Sequence, residues 1–172
     1  MSSADETPRS LFVVGLRNAH AMEREAISMM ENQISSLETY PEVKSRLQNH
    51  LDETRAQDER LEHILGELGE DRSTFKDTVM GFMGSANSMA ASMADDAILK
   101  ATFANFAFEN FETAAYKSLL KMAELDGSAF AIPLLQQSLN EEMAMSRWIE
   151  DHIEDVTERY VKLSHAGTDA SL

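Results

Sequence analysis

The chain has 172 residues, the length of one ordinary domain, and a formal net charge of −15, which disfavours binding to nucleic acid or an anionic membrane because phosphates would be repelled. It contains no cysteine, which excludes disulfides and thiolate metal sites and leaves carboxylates and imidazoles as the metal ligands. No apolar stretch approaches the roughly 20 residues of a membrane span, and the polar N-terminus lacks a signal-peptide pattern. We therefore expect a cytoplasmic protein.

The composition and the spacing of the apolar residues predict an all-α protein. Alanine, glutamate, leucine and methionine are abundant, and all four are strong helix formers. A first helix is predicted from about Pro8 to Leu37, because proline suits the first turn of a helix. A second helix is predicted from about Pro41 to Leu68, with Gly69 as its stop.

Two more helices follow a long connecting segment. Residues 70–94 hold glycines, serines and scattered methionines, and we expect a crossover that contains one or two short helices. The methionines are interpreted as packing residues rather than soft-metal ligands. The third helix is predicted from about Asp95 to Gly127, and the fourth from about Ser128 to Leu163. Because Pro133 falls near the start of the fourth helix, a short lead-in turn before the main helix is the alternative.

The lengths of the connections predict how the helices are arranged. Short links join the first helix to the second and the third to the fourth, so each pair should form an antiparallel hairpin. The long link can run the length of the bundle, which is the ferritin-like arrangement. We predict a single ferritin-like four-helix bundle over residues 9–163, a disordered tail at 1–8 and a frayed tail at 164–172.

Each predicted helix carries carboxylate or imidazole side chains in the middle of its apolar stripe. Buried glutamate is rare without a partner, because an isolated carboxylate is costly to remove from water. These side chains are Glu23 in the first helix, His50 and Glu53 in the second, Glu109 and Glu112 in the third, and Glu142 in the fourth. Counted from the turns, they lie at similar heights, because a helix rises about 1.5 Å per residue. They should therefore converge on one slab of the core.

Such a slab suits divalent cations. Carboxylates facing one imidazole would repel one another without a cation, and this donor set suits iron or manganese, with zinc as a substitute. We predict two divalent metal ions, with iron as the first choice. The competing interpretations are a set of protonated or hydrated buried acids, and a wrongly assigned stripe.

Four groups of residues form motifs that are moderately specific when taken together. They are Leu16-Arg17 through Met22-Glu23, His50-Leu51-Asp52-Glu53-Thr54 with Gln57 and Arg60-Leu61-Glu62, Glu109-Asn110-Phe111-Glu112 with Ala115-Tyr116, and Leu139-Asn140-Glu141-Glu142. Through these motifs the chain resembles the YciE/YciF-like family of bacterial ferritin-like proteins over roughly residues 10–160. The resemblance implies an often dimeric bundle, a link to stress responses, and a candidate di-metal centre whose ligands are the six side chains above.

Two positions depart from the family pattern. Asn110 stands where members commonly have histidine, and Ser146 stands where an acidic residue commonly follows the glutamate pair of the fourth helix. Neither Met145 nor Ser146 supplies the histidine of the E-x-x-H motif of ferritin-like oxidases. We therefore expect the fourth helix to contribute a single ligand, Glu142.

Other polar side chains have two possible roles. Tyr116 is predicted either to hydrogen-bond a ligand carboxylate or to be an ordinary core tyrosine. His20 and His63 fall off the inward stripes and are predicted at the surface. His152 lies about 15 Å along the helix from Glu142, too far to share its site.

Two functional hypotheses follow. The first is a redox-active di-iron or di-manganese protein that reacts with peroxide or oxygen, or oxidises ferrous iron, during stress. The second is a non-enzymatic stress protein in which any bound metal is structural.

Four phenylalanines around the third helix predict burial against the crossover or a partner subunit. With the family resemblance, this leads us to expect a homodimer.

Overall fold

The computed structural model describes residues 7–70, 96–168 and 170, and within these ranges it is built of helices without strands. The helices are α1 (Pro8–Ile34), α2 (Pro41–Glu67), α3 (Ala97–Asp126) and α4 (Ile132–His165). The predicted all-α, four-helix fold is confirmed. The short helices expected in the crossover, residues 1–6 of the predicted N-terminal tail, and residues 169, 171 and 172 of the predicted C-terminal tail lie outside the described residues.

Local sequence signals explain where the helices begin and end. Thr7 caps α1 through a reciprocal pair of hydrogen bonds with Ser10, in which each side chain accepts from the other's backbone N–H. Proline lies in the first turn of α1, α2 and α4. Gly127 ends α3 in a left-handed conformation with φ of 80°.

Two predicted boundaries were displaced by a few residues. The first helix ends at Ile34 rather than Leu37, although Leu37 is still buried at 2% exposure. The fourth begins at Ile132 rather than at Ser128. Turn residues between Gly127 and Ile132 occupy the intervening positions, and Pro133 then falls in the first turn.

The described contacts define the topology. Gln33 near the end of α1 bonds to Asn105 near the start of α3, and Arg9 at the start of α1 pairs with Asp126 at the end of α3. The two helices are therefore antiparallel neighbours, and the connection from α2 to α3 joins opposite ends of the bundle. Helices α1 and α2 form one hairpin and α3 and α4 the other. This is the ferritin-like arrangement.

The core is an apolar bundle interrupted at mid-height by polar side chains. Leu61 and Leu135 on one side of this layer, and Ile98 on the other, are at most 1% exposed. Helix α1 approaches α3 closely at Gly15, where an added Cβ atom would lie 2.9 Å from a methyl carbon of Leu119. Among the described helices, none is both long enough and apolar enough to cross a membrane.

Candidate metal centre

Three helices bring four side chains together in the polar layer. His50 comes from α2, Glu109 and Glu112 from α3, and Glu142 from α4. Each offers one ligand atom, and these atoms all lie within 4.8 Å of one another. All four residues are at most 5% exposed. The inward stripes of three helices therefore meet at one buried point, as their spacing predicted.

The two ring nitrogens of His50 face different carboxylates. Its Nε2 atom is 3.1 Å from Glu109 Oε2 and 3.8 Å from Glu142 Oε2. Its Nδ1 atom is 2.9 Å from Glu53 Oε2. The imidazole thus turns one nitrogen toward the cluster and is oriented through the other, the arrangement that commonly supports a metal-ligating histidine.

Glu53 lies on the outer side of His50, away from the four clustered side chains. Its Oε2 atom accepts hydrogen bonds from Arg46 at 3.1 and 3.2 Å, and its side chain is 35% exposed. The pKa of Glu53 is lowered, because contacts with His50 and Arg46 outweigh the partial burial that would raise it. In this geometry Glu53 contacts His50 and Arg46 and lies outside the group of four clustered side chains.

Glu23 brings α1 into the same layer. It is fully buried, and the hydroxyl of Tyr116 donates a hydrogen bond of 2.5 Å to its Oε1 atom. Of the two roles predicted for Tyr116, the structure shows the bond to a predicted ligand carboxylate. Burial raises the pKa of Glu23 to about 8, helped by the charge of Glu109 and opposed by Tyr116 and His50.

The remaining carboxylates repel one another in a dry environment. Burial is the main cause that raises the pKa of Glu112 and of Glu142 well above the usual range, and the mutual repulsion of the neighbouring glutamates adds to it. The pKa of His50 is raised to about 10, since burial, which alone would lower it, is outweighed by the close carboxylates of Glu109, Glu53 and Glu142. One imidazolium cannot neutralise this many acids.

The chemistry of these donors fits a cation. Glu23 Oε2, Glu112 Oε1 and Glu142 Oε2 are buried and have no hydrogen-bond partner. Buried polar atoms are normally satisfied, so unpaired carboxylate oxygens that face one another are groups that could hold a positive ion. Carboxylates with one imidazole form the donor set of iron, manganese and zinc sites.

The contacts that Gln57 and Arg60 make with Glu141 and Glu142 were not predicted. The amide of Gln57 donates to Glu142, and to Glu141 at 3.1 Å, while Arg60 binds both carboxylate oxygens of Glu141 at 2.8 Å. Gln57 is fully buried. Its position in the apolar stripe of the second helix was the available signal, because a buried amide also requires partners.

The predictions for the other histidines had mixed outcomes. His63 is exposed, as expected, but the prediction that His20 lies at the surface was wrong, since it is 4% exposed. Helix α1 packs on both α2 and α3, so more than one stripe of it is buried. His152 stacks on Trp148 and donates a hydrogen bond from Nδ1 to the backbone carbonyl oxygen of Trp148 at 2.7 Å, outside the clustered groups.

Fold and site together define the class of protein. A bundle of ferritin-like topology with buried glutamates around one imidazole is a ferritin-like protein with a possible metal site. Residues 7–162 match the model of a family described as a domain of unknown function, DUF892, and the chain belongs to that family. The predicted YciE/YciF-like relationship is confirmed.

Solved structures show the same fold. A protein from Xanthomonas campestris pv. campestris is 28% identical with a TM-score of 0.78, over 92% of this chain and 99% of that one. YcfI from Rhodopseudomonas palustris, provisionally described as a structural protein, is 27% identical with a TM-score of 0.72, over 87% and 98%. The Escherichia coli stress protein YciF is 20% identical with a TM-score of 0.74, over 87% and 96%.

Proposed function

We propose that this protein binds a di-metal centre of iron or manganese in its core and acts on peroxide, oxygen or ferrous iron during stress. The observation that carries the proposal is the set of buried, unpartnered carboxylate oxygens gathered around His50. Holding these oxygens apart from both water and cations is costly, and metal binding removes that cost.

The geometry suggests how the donors would be shared. His50 Nε2 and Glu142, with Glu109 and Glu112, are spaced for one ion. Glu23, steadied by Tyr116, would contribute to the second, and Glu53 would act by positioning His50. Asn110, one of the departures from the family pattern, is exposed and bonds to the backbone of its own helix, so it takes no part in the centre.

Two ions held close together would supply redox chemistry toward oxygen or peroxide. The protein's own part is to exclude water, to place the carboxylates and to hold the imidazole through Glu53 and Arg46. A link to stress is supported by the fold shared with YciF, which is described as a stress protein.

The test is to reconstitute the metal-free protein with ferrous iron under anaerobic conditions, count metals per chain, and then add peroxide. We expect about two metals per chain and oxidation of the bound iron that is at least tenfold slower in Glu112→Gln. Glu124→Gln, an exposed change on the same helix, is the matched control and should behave as wild type. Less than roughly one tenth of a metal per chain would contradict the proposal.

A second candidate, a non-enzymatic protein with one structural ion, is favoured by one observation. Helix α4 offers a single donor to the centre, because Met145 and Ser146 follow Glu142 where another ligand would be needed. In that case, reconstitution would give about one metal per chain, a raised melting temperature and no oxidation above that of free iron.

We further propose that the protein is a cytoplasmic homodimer. Phe103 and Phe111 of α3 are 47% and 40% exposed, as expected for a surface that a second subunit covers. Light scattering coupled to size exclusion should give twice the mass of one chain. Phe103→Ser should shift the equilibrium toward monomer, whereas a monomeric wild-type protein would contradict the proposal.

A further inference from the structure

A second group of metal-ligating side chains lies between α1 and α2, apart from the central cluster. We propose that His20, Asp58 and Glu62 form an outer site for a divalent cation of the zinc class. Their ligand atoms all lie within 4.8 Å of one another. The proposal does not rest on the proposed function, because none of these residues belongs to the central set.

The distances are those of a site that needs little rearrangement. His20 Nε2 lies 3.1 Å from Asp58 Oδ1 and 3.5 Å from Glu62 Oε1. Asp58 and Glu62 are four residues apart on α2, so they share one face of that helix, and His20 meets them from α1. A cation placed among the three would be held by both helices of the hairpin.

The burial of the three side chains resembles that of a zinc site with an open position. The side chains of His20, Asp58 and Glu62 are 5%, 18% and 28% exposed. The imidazole is therefore covered, while the carboxylates border on solvent. Zinc is commonly held by three nitrogen or oxygen ligands from the protein, with water completing a tetrahedral arrangement.

The charge around the site favours a cation. Asp58 Oδ1 is buried and makes no hydrogen bond of acceptable geometry. Burial raises the pKa of Asp58, and the charges of Glu62 and Glu59 oppose the effect of His20 and Arg24. Negative charge thus exceeds positive charge here, and a divalent ion would balance it better than a protonated His20 alone.

The experiment compares zinc binding by two metal-free variants that lose the same charge one residue apart. Asp58→Asn removes an outer ligand, and Glu59→Gln removes an exposed carboxylate. By calorimetry and metal analysis, we expect Asp58→Asn to bind one zinc ion fewer, or that ion at least tenfold more weakly, than Glu59→Gln and wild type. Equal zinc binding by the two variants would overturn the proposal and leave an ion pair between the helices.

Two further measurements keep this outcome separate from the central site and from misfolding. Glu112→Gln, which alters the central cluster, should retain the zinc ion that Asp58→Asn loses. In the wild-type protein, the imidazole nitrogen resonances of His20 should shift on titration with zinc. An unchanged His20 resonance at saturating zinc would overturn the proposal without recourse to any variant at the site.

Discussion

His50 carries the positive charge that the buried carboxylates of the centre need when no metal is bound. It is 1% exposed and contacts Glu109, Glu53 and Glu142. Removing one partner of a buried ionic group leaves uncompensated charge, which costs about 3–5 kcal/mol in other proteins. The centre is therefore expected to be sensitive to the loss of this single side chain.

We predict that His50→Ala lowers the free energy of unfolding of the metal-free protein by about 3 kcal/mol. Urea denaturation in a chelating buffer measures the change. His63→Ala, an exposed change on the same helix, should alter the stability by less than about 0.5 kcal/mol. Equal effects of the two substitutions would show that His50 is not compensating buried charge.

Glu23 makes the free energy of unfolding of the metal-free protein depend on pH. Its pKa is about 8 in the fold against an ordinary value of 4.5, so the folded state holds a proton that the unfolded state loses. Stability is therefore greatest near pH 4.5 and falls as the pH rises toward 8, by about 1.4 kcal/mol per pH unit for this group. His50, with a pKa of about 10, adds stability that is lost between 6.5 and 10.

We predict that wild-type protein in chelator unfolds at lower urea concentration at pH 8 than at pH 5. Glu23→Gln should reduce this slope, because glutamine does not titrate, but should not abolish it, because Glu112, Glu142 and His50 still titrate. Glu124→Gln should leave the slope unchanged. Both measurements are made above pH 4.5. Below that pH, protonation of Glu53, whose pKa is lowered in the fold, would decrease stability as the pH falls. A wild-type protein equally stable at both pH values would contradict the assignment.

At the scale of the helices, the close contact between α1 and α3 depends on Gly15. A side chain there would meet Leu119 at 2.9 Å and Met122 at 3.3 Å, and Leu119 is only 2% exposed. Gly66 on α2 has no such neighbours within 4 Å. Both positions are helical glycines, but only Gly15 is packed closely against another helix.

We predict that Gly15→Val lowers the free energy of unfolding by about 1–3 kcal/mol through overpacking, and that Gly66→Val changes it by less than about 0.5 kcal/mol. Chemical denaturation of both variants checks this. A loss of similar size at Gly66 would show that the effect does not come from the α1–α3 contact, because valine is a better helix former than glycine.

At the scale of the whole molecule, the proposed donors of the centre come from both hairpins. Glu23 and His50 come from one hairpin, and Glu109, Glu112 and Glu142 from the other. An ion bound between them would hold the folded state together and would have no equivalent site in the unfolded chain. Stability should therefore be linked to metal concentration.

We predict that manganese at 100 times its dissociation constant adds about 2.7 kcal/mol of stability and raises the melting temperature by roughly 5–10 °C. Thermal unfolding with and without chelator measures it. Glu142→Gln should lose most of the increase, and the exposed Glu150→Gln should keep it. An increase retained in Glu142→Gln would place the ion elsewhere.

Much of the fold could be read from the sequence because its signals are local. Prolines, Gly127 and the apolar stripes located four helices to within a few residues, and the short links predicted the hairpins. The same stripes placed Glu23, Glu109, Glu112 and Glu142 inward, and all four are buried. Helical periodicity determines which face a residue occupies, and burial follows when a face packs on one neighbour.

The polar layer shows what periodicity alone determined and what required tertiary packing. The sequence by itself indicated carboxylates at one height around His50. Glu53 turns outward to Arg46 of its own helix, a choice of side-chain direction that helical spacing leaves open. Only tertiary packing buried His20 against Asp58, because this contact depends on a neighbouring helix that is distant in sequence.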